Sequence, residues 1–254
     1  MHIRENVLAS VGHRQYVFTI PKRLRIFFRF DRKLLGGLAR CAWETVRELA
    51  QTALDGRDAV PGMVAAIQTF GELVHFHPHI HALVTDCAFA PDGESLPLPH
   101  IPTAACVQLF RAKVFRLLLD AGKIRPELVQ EMLAWQHPGF SVDRSVHIGA
   151  HDGKAAERLL EYFLRCPFSL DRIVAETAGG GIIYRAEHNS PQRFPDPADT
   201  HLCAGSKRNF QIFTPLDFLA EVTQHIPDKG AHLVRGIYHG HPIKVEAGSC
   251  ITIG

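Results

Sequence analysis

Runs of apolar and polar residues divide the chain into strands and amphipathic helices. Apolar residues recur every three to four positions through residues 33–54, which predicts a helix. The same spacing predicts further helices at 103–121, 126–135 and 155–166, and Thr214-Pro215 is typical of the start of another. Strands are predicted where β-branched and aromatic residues cluster, at 15–20, 63–70, 145–148, 172–176, 182–186 and 210–213. This order predicts an α+β fold, with a mainly antiparallel sheet and flanking helices.

Four histidines follow the second predicted strand at two-residue spacing: His75, His77, His79 and His81. Such a run arises by chance about 0.004 times in a chain of this composition. Alternate side chains of a strand share a face, so all four imidazoles are expected on one side. Gly71 and Glu72 predict a turn that joins this strand to residues 63–70 as an antiparallel hairpin.

Imidazoles on one face of a strand indicate a metal site, because neutral histidine is a good ligand for divalent first-row metals. His79 and His81 lie deepest in the apolar run and are the predicted ligand pair. His75 and His77 lie nearer the turn and are predicted to flank the site. By ligand softness alone, zinc would be the default metal.

The third ligand has two candidates in the sequence. Glu72 can fold back beside His79 and is the first choice, while Gln68 on the preceding strand is the alternative. Asp86 would complete a two-His-one-carboxylate set of the kind found in non-haem iron oxygenases, but its parity in a strand points it away from His81. A small-molecule metalloenzyme with a His-x-His site therefore stays open as a second interpretation.

Composition adds little about partners but bounds the compartment. The 28 basic and 26 acidic residues nearly balance, so affinity for DNA must come from local patches. The six cysteines are scattered, without a Cys-x-x-Cys pair, which fits a reducing cytoplasm. No signal peptide or membrane-spanning stretch is recognisable, so we expect a cytoplasmic protein and no membrane partner.

Two basic segments are the predicted contacts to nucleic acid. In residues 22–33, basic residues interleave with three phenylalanines, and this combination suits phosphates and unpaired bases. The predicted contact residues of this segment are Lys22, Arg23, Arg25 and Arg29. A smaller second patch is predicted at Lys207 and Arg208.

The histidine run carries a family resemblance. Residues 77–86 resemble the His-hydrophobic-His motif of HUH endonucleases, and more narrowly that of the two-tyrosine transposases of rolling-circle insertion sequences. Residues 13–22, 159–165 and 214–219 resemble the opening strand and later helices of that family, so the resemblance covers about residues 5–235. It implies a ferredoxin-like or palm-like antiparallel sheet with the histidine pair on a central strand, in a bacterial cytoplasmic protein.

The resemblance also implies a mechanism. Two imidazoles and one polar side chain would hold Mg²⁺ or Mn²⁺ against a phosphate of single-stranded DNA at the ends of a mobile element. A tyrosine would attack that phosphate, forming a 5′-phosphotyrosine and releasing a 3′-hydroxyl. A second tyrosine would let the protein alternate cleavage and rejoining during transposition.

The resemblance ends shortly after residue 235, where the family carries its tyrosine pair. This chain has one tyrosine there, Tyr238, which is the predicted nucleophile. Tyr16, Tyr162 and Tyr184 match positions that the family does not use for attack and are predicted to be core or sheet residues. We therefore expect a catalytic domain over 1–235 and a divergent tail over 236–254, as in a remnant shortened at both ends. A non-catalytic DNA-binding fragment is the alternative.

Overall fold

A computed structural model of the protein describes residues 11–71, 73–136, 139–186, 210–238 and 241–243. Within these ranges, residues 236–238 and 241–243 are described by their backbone alone. By packing, the chain divides into two compact units. The first comprises residues 1–68, 78–164 and 228–254, and the second comprises 69–77 and 165–227.

The described residues form six α-helices and eleven strands. The helices are α1 (Lys22–Phe30), α2 (Lys33–Ala53), α3 (Thr103–Asp120), α4 (Pro126–Leu133), α5 (Gly153–Phe163) and α6 (Pro215–Thr223). The strands are β1 (His13–Thr19), β2 (Val60–Phe70), β3 (Phe76–Phe89), β4 (Ser95–Pro97), β5 (Ser141–Asp143), β6 (His147–Ile148), β7 (Ile173–Glu176), β8 (Ile182–Arg185), β9 (Phe210–Phe213), β10 (Val234–Tyr238) and β11 (His241–Ile243). None of these helices combines the length and the apolar character needed to cross a membrane.

The first unit is built on a sheet with strand order β11-β10-β2-β3-β1-β5, with β4 added to β3 and β6 to β1. β1 runs antiparallel to β3, and β10 runs antiparallel to β2. The five residues between β2 and β3 are too few for a parallel crossover, so this pair is antiparallel as well. The predicted α+β fold with a mainly antiparallel sheet is therefore confirmed, and β3 is an interior strand.

One face of this sheet is covered by α5. Ala156, Leu160 and Phe163 recur at four- and three-residue spacing, so they form one apolar stripe along the helix. The stripe packs on a set of sheet residues: Val64, Ala66, Leu83, Ile148 and Val234. Asp152 begins the helix by accepting a hydrogen bond from the backbone N–H of Ala155 at 3.0 Å. The C-terminal end of α5 is thereby held against the middle of the sheet.

The second unit is a three-stranded sheet, β7-β8-β9, with α6. Its core contains Val74, Tyr184, Phe213 and Phe218. Val74 has a φ of 64°, a conformation that costs a β-branched residue energy. The buried His225 ring stabilises this turn, because its Nε2 lies 2.6 Å from the Val74 carbonyl oxygen.

Several boundaries differ from the sequence prediction. The helix predicted over 155–166 ends at Phe163, and residues 145–148 contain only the two-residue strand β6. The basic segment after β1, for which the pattern predicted no element, is the helix α1. β10 runs through the predicted domain boundary after residue 235, and that boundary stays a prediction.

Candidate functional site

The predicted ligand pair lies on the interior strand β3, with both rings buried. His79 and His81 are 8% and 3% exposed. Their Nε2 atoms are 3.0 Å apart, and the rings meet edge to face with centroids 4.8 Å apart. In the ladder with β1, His79 lies opposite Thr19 and His81 opposite Val17. The two-residue spacing places both rings on one face of β3, where their Nε2 atoms converge.

A glutamine on β1 orients this pair. Gln15 is buried, and its amide nitrogen lies 3.3 Å from His81 Nδ1. When the amide N–H donates to Nδ1, His81 keeps its proton on Nε2 and donates it to His79. When the amide is turned over, its oxygen accepts from His81 Nδ1–H, and both Nε2 lone pairs become available to a cation. The orientation of the Gln15 amide is therefore linked to which His81 nitrogen carries the proton.

Gln68 of β2 lies on the same face of the sheet as the histidines. Val64 and Ala66 of β2 pack in one core with Leu83 of β3, and residues two apart on a strand share a face. Gln68 therefore shares the face of His79 and His81. Its buried amide donates to the carbonyl oxygens of Tyr162 and Phe163 at 3.1 and 2.9 Å. Its Oε1 atom is buried, with no hydrogen-bond partner among the described residues.

The other predicted ligands and flanking residues are placed as follows. Glu72 lies outside the described residues. His75 precedes β3 and is exposed, with its Nε2 2.5 Å from Gln211 Oε1 in the second unit. His77 lies on β3 and also belongs to the second unit. The described part of the chain contains no group of three His, Cys, Asp or Glu side chains that could hold a metal.

Asp86 does not take part in the histidine site. Its Oδ2 lies 2.5 Å from His147 Nε2 on β6, and both side chains are partly exposed. The parity argument from the sequence agrees with this placement.

Tyr162 is a site residue that the sequence interpretation missed. It is the penultimate residue of α5, and its ring meets the edge of the His81 ring with centroids 5.4 Å apart. The neighbouring Phe163 ring lies 5.1 Å from His81 and is buried, whereas Tyr162 is 38% exposed. The apolar stripe of α5 predicts that Phe163 points inward. No sequence signal tells which strand the end of this helix meets.

Tyr238, the predicted nucleophile, ends β10 and is described by its backbone alone. In the ladder with β2, Val234 lies opposite Ala66. Tyr238 is four residues farther along β10, which places its backbone about 13 Å along the strand from the Val234–Ala66 pair. Its role as the nucleophile stays a prediction.

The basic segment forms α1, which begins three residues after Thr19. Leu24 and Phe28 are fully buried, whereas Phe30 is 81% exposed. Arg23 pairs with Glu131 at 2.9 Å and lies over the Trp135 ring. Arg25 is half-buried and bonds the Ile20 carbonyl oxygen.

Lys22 and Arg29, like Phe30, lie on the exposed side of this helix. Lys207 and Arg208, the second predicted patch, lie outside the described residues.

A family described as "Putative transposase" matches residues 62–244. This match spans more than half of the 254 residues. The chain belongs to this transposase family. The matched region includes the histidine pair, Gln68 and α5, while β1 and α1 precede it.

Two curated relatives carry transposase names. "Putative transposase y4qJ" of Sinorhizobium fredii is 31% identical over 132 residues, which are 48% of this chain and 32% of the relative. "Transposase for insertion sequence element IS801" of Pseudomonas savastanoi pv. phaseolicola is 22% identical over 259 aligned residues, 92% of this chain and 55% of the relative. The chain thus spans about a third to about half of the length of these relatives. No solved structure matches it.

Proposed function

We propose that this transposase binds single-stranded DNA and cleaves and rejoins it by metal-assisted tyrosine attack, as in HUH enzymes of rolling-circle elements. The observation that carries the proposal is the placement of three groups at one face of the sheet. These groups are the converging nitrogens of His79 and His81, the amide oxygen of Gln68, and the ring of Tyr162.

The histidine pair fits Mg²⁺ or Mn²⁺. Two nitrogens bound side by side on an octahedral cation at about 2.1 Å stand about 3 Å apart, which agrees with the 3.0 Å between His79 Nε2 and His81 Nε2. Gln68 Oε1 is a buried oxygen that needs a partner, so it is the third ligand we favour, with Glu72 as the other candidate. The bound cation would polarise a phosphoryl oxygen of the DNA.

Tyr162 is the nucleophile that the geometry favours. Its phenol oxygen would attack the phosphorus atom, and the bond from phosphorus to the 3′ oxygen would break. The phenol proton would be lost to solvent, and the departing 3′ oxygen would take up a proton from solvent. The products are a 5′-phosphotyrosine and a free 3′-hydroxyl. Gln68 supports this role by fixing the backbone at the end of α5. Its amide donates hydrogen bonds to the carbonyl oxygens of Tyr162 and Phe163.

The DNA strand would reach this site over α1. Thr19 lies opposite His79, and Lys22 follows Thr19 by three residues. The Cα atoms of Thr19 and Lys22 are therefore at most about 11 Å apart. Lys22 and Arg29 can meet phosphates, and the exposed Phe30 can stack an unpaired base. Arg23 and Arg25 already have partners in the protein and would contribute less.

A covalent-adduct assay tests the chemistry. The protein is incubated with a labelled single-stranded oligonucleotide from the element's ends in Mn²⁺, and the adduct is resolved under denaturing conditions. We expect an adduct that Tyr162→Phe abolishes, while Tyr16→Phe, a buried tyrosine elsewhere in the sheet, retains it. Loss in Tyr238→Phe with retention in Tyr162→Phe would restore Tyr238 as the nucleophile.

The alternative functions give different results in the same preparation. A DNA-binding fragment without catalysis would bind the oligonucleotide but form no adduct in any metal. A small-molecule metalloenzyme would be purified with stoichiometric zinc or iron and would show no affinity for DNA.

A further inference from the structure

A charged cavity lies in the first unit, away from the histidine pair. Its volume is about 340 Å³, which is within the range of small-ligand sites. The floor includes Met63 and Ala65 of β2, and α2 and β10 supply the walls. Because Met63 and Ala65 alternate with Val64 and Ala66, which pack under α5, the cavity opens on the opposite face of the sheet.

One stripe of α2 supplies most of the wall. Gly36, Arg40, Trp43 and Arg47 follow one another at spacings of four, three and four residues, so they lie along one side of the helix. A Cβ at Gly36 would stand 3.0 Å from Nη2 of Arg235. The missing side chain at Gly36 therefore leaves room for the Arg235 guanidinium to lie on the helix. Arg235 is held there by β10, directly opposite Ala65.

Positive charge predominates in this cavity. Arg40, Arg47 and Arg235 have no ion pair among the described residues, although all three line the cavity. The single acidic wall residue, Glu44, is near Lys113, with Nζ 3.9 Å from its Oε2. The cavity therefore combines the indole of Trp43 with three guanidinium groups that have no acidic partner in the described part of the chain. Guanidinium groups suit phosphates, and an indole suits a stacked base.

We infer that this cavity, lined by Arg40, Trp43, Arg47 and Arg235, binds a nucleotide unit of single-stranded DNA, with the base on Trp43 and its phosphates on the arginines. The inference rests on the proposed single-stranded DNA substrate. It adds a second contact on the opposite face of the sheet, where the strand is held without being cut. Free phosphate could pair with the arginines, but it has no base to stack on Trp43.

Tryptophan fluorescence tests this inference directly. The chain has two tryptophans, so the Trp135→Phe variant leaves Trp43 as the only reporter. Titration with an eight-residue oligothymidylate should quench this fluorescence, and inorganic phosphate at equal concentration should not. Arg40→Gln with Arg47→Gln should weaken the binding at least tenfold and lower the salt slope by about 1.4, since each phosphate contact on a single strand contributes about 0.7.

Matched controls separate the cavity from general charge. Arg57→Gln removes an exposed arginine just beyond α2 and should leave affinity unchanged, whereas Glu44→Gln should raise it. Unchanged quenching and salt slope in the double arginine variant would overturn the inference, and so would equal quenching by phosphate.

The Tyr162→Phe variant should still show the quenching of Trp43 fluorescence by the oligonucleotide. If the protein forms the covalent adduct but its Trp43 fluorescence is not quenched, the cavity inference alone is wrong. If the fluorescence is quenched but no adduct forms, the proposed cleavage alone is wrong.

Discussion

At the scale of single residues, the candidate site depends on proton placement as much as on ligand identity. His81 can present its Nε2 lone pair only when its proton is on Nδ1, and Gln15 is the described residue that contacts Nδ1. Partners of this kind, which hold a histidine ligand in the right tautomer, typically change metal affinity 10- to 100-fold when they are removed.

Replacing Gln15 should therefore weaken metal binding while the histidines stay in place. We expect Gln15→Leu to lower the affinity for Mn²⁺ about 10- to 100-fold, as measured by isothermal titration calorimetry. Gln108→Leu makes the same chemical change on the exposed side of α3 and serves as the control. Equal affinity in both variants would mean that Gln15 does not orient His81.

Another buried histidine, His13, should make stability depend on pH. Burial lowers the pKa of His13 below its ordinary value of 6.5. The unfolded chain then binds a proton more readily than the folded one, so the unfolding free energy falls as the pH drops below about 6.5 and continues to fall until the folded pKa is passed. The stabilisation is fully present above pH 6.5.

His13→Gln should reduce this loss between pH 7 and pH 5, as measured by urea denaturation at each pH. The exposed His151 gives a control, since His151→Gln should keep the pH dependence of the parent protein. A parent-like slope in His13→Gln would contradict the assignment.

At the scale of elements, α5 links stability to the site. It begins at Asp152, packs through one apolar stripe and ends beside His81. The sequence predicted this helix from its periodicity but extended it to residue 166. The described helix ends at Phe163. Pro167 disfavours helical backbone at Cys166, the residue that precedes it, so the helix could not have included residue 166 easily.

Removing the Asp152 cap should destabilise the protein. Asp152→Ala leaves an N–H in the first turn without its acceptor, and we expect a loss of about 1 kcal/mol in unfolding free energy. Asp152→Ser keeps a capping oxygen and should retain most of the stability. Chemical denaturation of both variants checks the difference, and equal losses would show that the cap is not the cause.

The basic segment shows why one element escaped prediction. In α1, only Leu24 and Phe28 are fully buried, and the other apolar residues include Ile26 and Phe30 on the exposed side. With an apolar stripe this narrow, the sequence pattern does not distinguish a helix from a strand made of mixed basic and aromatic residues. The prediction of DNA contact at Lys22 and Arg29 is untouched by this difference.

At the scale of the whole molecule, metal binding should be visible as stability. A cation that binds only the folded state stabilises it by about 2.7 kcal/mol at 100 times its dissociation constant. We expect Mn²⁺ to raise the thermal midpoint by several degrees and EDTA to reverse the change. His81→Gln should abolish the shift, and His100→Gln, at an exposed position, should not. A shift that persists in His81→Gln would place the cation elsewhere.

The local pattern of the chain was enough for the fold class, most helices and the paired histidines. Two-residue spacing alone requires His79 and His81 to share a face of a strand, whatever the rest of the chain does. Helical periodicity likewise predicts the inward stripe of α5. These properties depend on neighbours in sequence, so they can be read from the sequence.

Only the tertiary structure brought Tyr162 and Gln15 to His81, Gln68 to the end of α5, and Arg235 to Gly36 of α2. Each of these contacts joins residues far apart in the chain. They depend on strand order, register and the strand that a helix end meets, which arise from the packing of the whole sheet. The paired histidines are therefore a property of the sequence, while their partners are a property of the fold.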